Sequence, residues 1–458
     1  MLRFALAATV AGLVASAPAG ASARITPSPA LQGPELGPDA TAASEPQQPN
    51  ILVIVLDDAG FEDMQPAVMP VLNAFAAYGR LYTRLYTGPT CSPSRYMLNT
   101  GRYPHREFIG GTIVPNDPVF EGLSTRTLTV AEVLKGSGYA TALFGKWHLS
   151  TSAGGEVVEM PRVHGYEQWL AGAPTNLTTN LESHYSWTRT DNGIESHETT
   201  YSTRAIADSL RDWWTATEGP KFGMCCYLAP HAPFESAVPS GMLPPNYIPP
   251  VDGLRGDYLS ALSAIDLALL ELIQFVDLPN TYIIITSDNG TPLNVEPPFA
   301  IEKGYKSTPY EGGTNVPLVV FGPSVAPGVD ATSLISMCDL PLTLIELAGL
   351  DAPRRGFEDA VSFAPTIEGT ETSARTIAWS HLFFPSGGLP GAAYVDDWCV
   401  VRSDGTKLVS YGEHVELFDL SLDPHEQTAL DPLALWNVPI VVEMLAEREA
   451  ILGSAWPY

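Results

Sequence analysis

The chain has 458 residues, with 24 Lys+Arg against 51 Asp+Glu and a formal net charge of −27. An apolar share of 45% excludes wholesale disorder, and the length allows one large domain plus a smaller one, or two to three average domains. A sequence pI near 4.5 excludes nucleic acid as the main partner, because phosphate binding needs a basic surface; acidity this strong suits a saline medium.

Residues 1–23 read as a cleavable signal peptide. Arg3 supplies a positive start, residues 4–17 form a short run rich in Ala, Leu and Val, and Ala21-Ser22-Ala23 offers a small-residue cleavage site. That run is shorter than the roughly 20 residues that cross a bilayer, and no later stretch is long and apolar enough. A periplasmic or secreted protein without stable membrane insertion is expected. Residues 24–49, dense in Pro, Ala, Ser and Gly, predict a disordered linker. A large domain is expected over residues 50–356 and a smaller subdomain over 357–458.

Ile51-Leu52-Val53-Ile54-Val55-Leu56 is an unbroken apolar run followed by Asp57-Asp58 and Gly60. Such a run suits a strand buried on both faces, as in a parallel sheet covered by helices. In Cys91-Ser92-Pro93-Ser94-Arg95, Pro93 is placed for a first helical turn, so Cys91 sits beside a helix N-terminus, where free N–H groups favour anions. Residues 127–135 predict a helix. So do residues 258–276, with Leu259, Leu262, Ile265, Leu269, Leu272, Ile273 and Val276 at helical spacing. Residues 282–286, followed by Ser287-Asp288-Asn289-Gly290, and residues 316–321 predict two more buried strands. This alternation argues for an α/β fold, in which polar residues just past the carboxyl ends of strands line the ligand crevice. Beyond residue 356 the texture changes. Residues 376–381, 393–402, 407–411 and 415–420 predict short strands, Ser403-Asp404-Gly405 a hairpin turn, and residues 438–452 an amphipathic helix on a small antiparallel sheet.

Asp57, Asp58, Asp288 and Asn289 offer only oxygen ligands after two similar strands, which is the chemistry of a hard cation, calcium or magnesium, and not of zinc. One such pair alone is more often a turn start; two make a shared site. Of the five cysteines, Cys91, Cys225, Cys226, Cys338 and Cys399, an odd number leaves at least one unpaired in an oxidising compartment. The other four allow three pairings or remain buried thiols. By itself, Cys91 beside Arg95 reads as a nucleophilic thiol with a lowered pKa. Lys146 and His148 in Gly145-Lys146-Trp147-His148, His231 in Ala229-Pro230-His231-Ala232-Pro233, and Lys306 upstream of Glu311-Gly312-Gly313 are cations in a cation-poor chain. Each alone reads as a packed or surface residue; their coincidence with the acidic pairs marks a site.

With these blocks in this order, the chain resembles the sulfatase family, within the alkaline phosphatase superfamily. Cys91 to Arg95 through Thr100-Gly101-Arg102 is similar to the signature in which the Cys is oxidised to formylglycine (3-oxoalanine). Asn99 departs from it, standing where the family has an apolar residue. Leu56-Asp57-Asp58, residues 130–149, Pro230-His231-Ala232-Pro233, Ser287-Asp288-Asn289-Gly290, Lys306 with Val316-Pro317, and Leu417-Phe418-Asp419-Leu420 with Asp423-Pro424 and Glu426 match further family blocks, so that the resemblance covers about residues 51–430. It implies a large mixed, mostly parallel sheet flanked by helices, alkaline-phosphatase-like, and a smaller C-terminal antiparallel sheet with a helix. It implies Ca2+, with Mg2+ as the other candidate, held by Asp57, Asp58, Asp288, Asn289 and the modified residue 91, and a formylglycine-generating enzyme as maturation partner. The hydrated formylglycine would attack sulfur. His231 would protonate the leaving oxygen, Lys146 would bind a sulfate oxygen and Lys306 the bridging or a sulfate oxygen, Arg95 would stabilise the formylglycine and the developing charge, and His148 would take the proton that lets sulfate depart. Sulfate esters of carbohydrates or aryl alcohols are the implied substrates, with specificity in residues 108–123, 166–201 and 381–391.

Two other readings share these residues. One is a formylglycine-dependent phosphodiesterase or phosphonate monoester hydrolase, separated by comparing a nitrophenyl sulfate, a phosphate monoester and a phosphonate ester. The other is a non-catalytic calcium-dependent binder of sulfated glycans, which requires an unmodified Cys91. A net charge of −27 repels a sulfated anion, but salt shortens that repulsion to about 8 Å. The local pocket must therefore set the sign.

Overall fold

The first apolar run is a strand buried at every residue, β1 (Asn50–Leu56). It belongs to a computed structural model that describes residues 48–114, 122–151, 157–177, 181–234, 238–245, 247–295, 304–384 and 395–453. The export segment and nearly all of the linker lie outside them, as do parts of the three stretches expected to rim the pocket. Ten further strands join β1: β2 (Arg80–Tyr86), β3 (Ala140–Lys146), β4 (Gln168–Ala173), β5 (Trp187–Asp191), β6 (Ile194–Glu198), β7 (Lys221–Cys226), β8 (Thr281–Ser287), β9 (Asn315–Phe321), β10 (Gly328–Asp330) and β11 (Ile335–Ser336). Among the described residues their order is β10-β2-β9-β8-β1-β7-β3-β4-β5-β6, with β11 also on β2. The centre, β8-β1-β7-β3-β4, is all parallel. Strand β9 runs antiparallel to both β8 and β2, which makes the sheet mixed.

Among the described residues, the helices of seven or more residues that cover it are α1 (Pro70–Tyr78), α2 (Cys91–Thr100), α3 (Val130–Gly136), α4 (Ser202–Ala216), α5 (Gly253–Leu272) and α6 (Asp339–Leu347). The pleat of β1 sends alternate side chains to opposite layers. Ile51, Val53 and Val55 pack with Met97 of α2, Leu134 of α3 and Leu344 of α6. Leu52, Ile54 and Leu56 pack with Phe75 of α1, Leu210 of α4 and Leu262 of α5. This double cover is why the run has no polar alternation. Local chemistry sets the helix ends. Thr129 and Glu132 form a reciprocal capping box on α3. Gly101, at φ 64°, ends α2 in the left-handed conformation that glycine adopts without strain.

The second sheet has the order β12 (Ile377–Phe384), β13 (Val395–Arg402), β14 (Thr406–Tyr411) and β15 (His414–Asp419), antiparallel throughout. The predicted turn joins β13 to β14, with Gly405 at φ 94°. Helix α7 (Val438–Leu452) is not cleanly amphipathic: Met444 and Leu452 are buried, whereas Val442 is 59% and Leu445 39% exposed. Val438, Ile440, Val441 and Val442 crowd its first half, so no period separates the two faces. All five cysteines are buried free thiols. No helix among the described residues is long and apolar enough to cross a membrane.

The two sheets meet at a fully buried lysine. Lys407 of β14 lies 2.8 Å from Glu311 and 2.9 Å from Glu426, and Glu426 also accepts the Glu311 N–H at 2.6 Å. Burial pushes the Glu426 carboxyl up to about 7, against the pull of Lys407 and with the push of Glu311. The folded protein thus holds this proton to higher pH than the unfolded chain, and Glu426's contribution to stability declines as pH rises between about 4.5 and about 7. Glu426→Gln is expected to flatten that decline. The measurement is the thermal midpoint of both proteins against pH; parallel curves would contradict the shift.

Candidate functional site

Strand register builds the site. Leu56 of β1 pairs with Ser287 of β8, so the next residues emerge side by side: Asp57 and Asp58 from one strand, Asp288 and Asn289 from the other. The Asp58 N–H donates to Asp288 Oδ1 at 3.1 Å, Ala59 N–H to Ser287 Oγ at 2.9 Å, and Asn289 Nδ2 to Asp58 Oδ1 at 2.8 Å. On the other side of β1 lie β7 and β3. The loop after β7 brings His231, and β3 ends in Lys146 with His148 two residues on. The carboxyl ends of four adjacent parallel strands thus converge, as α/β sheets favour. Gly290 permits a further approach: a Cβ there would sit 1.8 Å from the Gly312 carbonyl oxygen. Between these glycines the chain returns with Lys306, whose N–H bonds the Thr291 carbonyl at 2.8 Å.

Helix α2 points its N-terminus at this cluster. Cys91 is its first residue, after Thr90 as N-cap. Ser94 Oγ donates to the Gly88 and Thr90 carbonyls at 3.0 and 2.9 Å, fixing the entry turn. The Cys91 sulfur lies 3.6 Å from Asp57 Oδ1 and 3.8 Å from Asp58 Oδ1. Asp57, Asp58, Cys91 and Asp288 each offer one ligand atom within 4.8 Å of all the others, and all four are buried. One turn along α2, Arg95 Nε donates to Asp288 Oδ2 at 2.9 Å, Nη2 makes an ion-pair contact with the same oxygen at 2.8 Å, and Nη1 donates to the Lys146 carbonyl at 3.0 Å. Lys146 Nζ lies 2.6 Å from Asp57 Oδ2, both side chains fully buried. Lys306 Nζ lies 2.6 Å from Asp58 Oδ1 and 3.5 Å from the Cys91 sulfur. His231 Nε2 lies 3.6 Å from Asp58 Oδ2.

The donor set fits a hard divalent cation. Three carboxylates converge, and Asn289 turns Nδ2 to Asp58 and Gly290 while its Oδ1 is buried without a hydrogen-bond partner. That oxygen is the acceptor a cation would complete. The three carboxylates face three cations, Arg95, Lys146 and Lys306, so a divalent ion would turn a formally neutral cage positive. With such an ion, a chain of net charge −27 would present a locally positive site.

Proton affinities follow from burial and these pairs. Burial would raise Asp57, but Lys146, His231 and Arg95 outweigh it and hold its carboxyl below the usual range. The same contest, with Lys306 and His231, keeps Asp58 low. Burial lowers His231, against Asp58 and Asp57. It lowers His148 strongly, helped by Lys146 and Arg95. Asp58 leads the groups that raise Lys306 despite its burial. Burial pushes the Cys91 thiol up to about 12, against Lys146 and Lys306. The reading of Cys91 as a bare thiol of lowered pKa is therefore corrected: desolvation at this helix end outweighs the nearby cations.

His148 stands at the edge of the cluster. Its Nε2 lies 2.9 Å from the Ile113 carbonyl, and its Nδ1 is buried without a hydrogen-bond partner. A carbonyl only accepts, so the ring proton sits on Nε2 and Nδ1 keeps a lone pair. The Ile113 N–H in turn donates to Ser92 Oγ at 3.0 Å. Ser92 was visible within the sequence motif; its link to His148 through a main-chain carbonyl was not. The departure at Asn99 has a structural use: Nδ2 donates to the Arg95 carbonyl and Oδ1 accepts from Tyr166, both at 2.8 Å. Thr87, unmarked in the sequence, donates to the Asp288 carbonyl at 2.9 Å.

The Sulfatase family model matches residues 49–350, about two thirds of the chain. The chain is 30% identical over 446 residues to arylsulfatase A of Bos taurus, covering 87% of this chain and 80% of that protein. It is 28% identical over 449 residues to N-acetylgalactosamine-6-sulfatase of Mus musculus, covering 85% and 83%. The fold is shared with Ps i-CgsB in complex with k-i-k-neocarrahexaose, at TM-score 0.74 and 23% identity over 90% of this chain and 95% of that one. It is shared too with BT4656 in complex with its substrate D-glucosamine-2-N,6-O-disulfate, at TM-score 0.68 and 18% identity over 89% and 98%. The matched segment contains all ten clustered residues, from Asp57 to Lys306, and on this match the chain belongs to the sulfatase family and is a sulfuric ester hydrolase.

Proposed function

We propose that this sulfatase hydrolyses sulfate esters of saccharides, accepts aryl sulfates as activated surrogates, and works with residue 91 in its formylglycine form. The observation that carries the reading is the place of Cys91: first residue of a buried helix, within 4.8 Å of three carboxylate oxygens and beside the cations Lys146, Lys306 and Arg95. A saccharide substrate is supported by the relative named for N-acetylgalactosamine 6-sulfate and by the solved relatives holding neocarrahexaose and a glucosamine disulfate.

In this reading a maturation enzyme, with an external two-electron oxidant, would convert the Cys91 side chain to an aldehyde with loss of its sulfur as sulfide, and the hydrate of that aldehyde would supply the hydroxyl for attack at sulfur. Asp57, Asp58, Asp288 and Asn289 would hold a divalent cation, calcium, which would supply positive charge for the nucleophile and the sulfate. Lys146 and Lys306 bind sulfate oxygens, their ammonium groups kept in place by Asp57 and Asp58. Arg95 holds Asp288 and adds positive charge where negative charge develops. His231 Nδ1 lies 2.7 Å from the Ala232 carbonyl and so carries a proton; to serve as the acid the ring takes a second proton on Nε2, which burial disfavours and the Asp58 carboxylate 3.6 Å away favours. The Nδ1 lone pair of His148 accepts the last hydroxyl proton as sulfate leaves.

Mass spectrometry of the peptide containing residue 91 is expected to find the aldehyde or its hydrate in active enzyme. An intact thiol in fully active protein would refute the reading. Exhaustive chelation is expected to lower turnover of a nitrophenyl sulfate by about 100-fold or more, with recovery on adding Ca2+ or Mg2+ but not Zn2+. Full activity in metal-free protein would remove the cation from the account.

A further inference from the structure

The structure assigns a positioning role to His184, a buried histidine that is held by Ser202 and orients the main chain of His231. The inference rests on the reading of His231 as the acid that protonates the leaving oxygen. His231 lies in the loop after β7, where no strand partner fixes it. His184 is 3% exposed, and its Nε2 lies 3.0 Å from the His231 carbonyl oxygen. That carbonyl only accepts, so the His184 proton is on Nε2, and Nδ1 is the acceptor. Ser202 Oγ, 2.6 Å from Nδ1, must then donate. Ser202 also donates its N–H to the His184 carbonyl at 2.8 Å. The first residue of α4 thus grips His184 at both ends, and the Tyr201 ring lies 5.7 Å away between centroids. The result is a chain of fixed donors and acceptors: α4, Ser202, His184, His231.

The consequence is kinetic. A proton donor displaced by about 1 Å can cost of order 100-fold in rate. The loss depends on how much the leaving group needs the proton. An activated phenol departs as its anion almost unaided, whereas a phenol of higher pKa departs only as it is protonated. A histidine that merely fills the core would, when removed, slow all esters alike or only lower the melting temperature.

The test is a series of phenyl sulfates whose leaving phenols run from pKa about 7 to about 10. His184→Ala is expected to keep kcat for the most activated ester within about threefold and to lower it about tenfold or more for the least activated. His184→Gln, which restores a donor to the His231 carbonyl, is expected to recover most of that loss. Ser202→Ala, a small change that leaves the main-chain bond intact, is expected to show the same selectivity at about threefold, and with His184→Gln it carries the test if His184→Ala does not fold. Equal loss across the series, or none, in these variants overturns the inference while His231→Ala remains leaving-group selective. A His231→Ala enzyme without that selectivity overturns the acid assignment, and this inference with it.

Discussion

Cys91→Ala is expected to lower turnover of a nitrophenyl sulfate by at least about four orders of magnitude while leaving the thermal midpoint nearly unchanged. The two halves of that result come from different features. In the proposed mechanism turnover is lost because alanine cannot be oxidised to the aldehyde. The fold is kept because the change removes only the sulfur of the thiol, or the oxygens that replace it on maturation, and orphans no charge: Asp57 stays paired with Lys146, and Asp58 with Lys306. A cavity of that size costs about 1 kcal/mol. Cys91→Ser makes a sharper version of the test. A serine has one hydroxyl, so once sulfated it has no second proton for His148 to remove, and one sulfated serine per chain should accumulate. A Cys91→Ala protein with near-normal rates would refute the assigned nucleophile.

Lys407→Met is expected to destabilise the protein by about 3–5 kcal/mol at neutral pH. Methionine fills the same volume, so packing is largely kept. What changes is charge: Glu311 and Glu426, both against Lys407, would be left facing each other in a buried junction. Urea unfolding measures the loss. The double variant Lys407→Met, Glu426→Gln is expected to recover about 1–3 kcal/mol of it, since one of the two carboxylates is gone. Equal stability of the single variant and the parent would show that the junction is hydrated and not a buried ion triad.

The parts of the fold legible in the sequence are those where burial is complete. Strands β1 and β8 read as strands because helices cover both faces and every position is apolar or β-branched up to the acidic pair. Strand β2 did not, because Arg80 and Arg84 interrupt it. Arg80 is paired with Asp330, and Arg84 donates to the Arg402 and Ser403 carbonyls, partners some 250 to 320 positions away. Strands β3 and β7 hide behind small residues: Gly223 of β7 faces Leu52 and Trp214 from close range, where a larger side chain would crowd them. The β5–β6 hairpin had a signal in Asn192-Gly193, at φ 51° and 87°, that its polar strands masked. At the site, each charged ligand was visible as a residue type after a strand or at a helix start. What sequence could not carry were the links through main-chain carbonyls, Ile113 to His148 and His231 to His184, because a carbonyl belongs to every residue and marks none.

The pairing of β1 with β8 brings together Asp58 and Asn289, which are 231 positions apart. A partly synthesised chain that stops short of β8 holds two aspartates and no cage. Closing so long a loop is slow, and the full set of oxygen ligands is assembled only when the late strand takes its place. A bound cation, as proposed, would add its free energy to the finished molecule and to none of its precursors, acting as a latch that engages last.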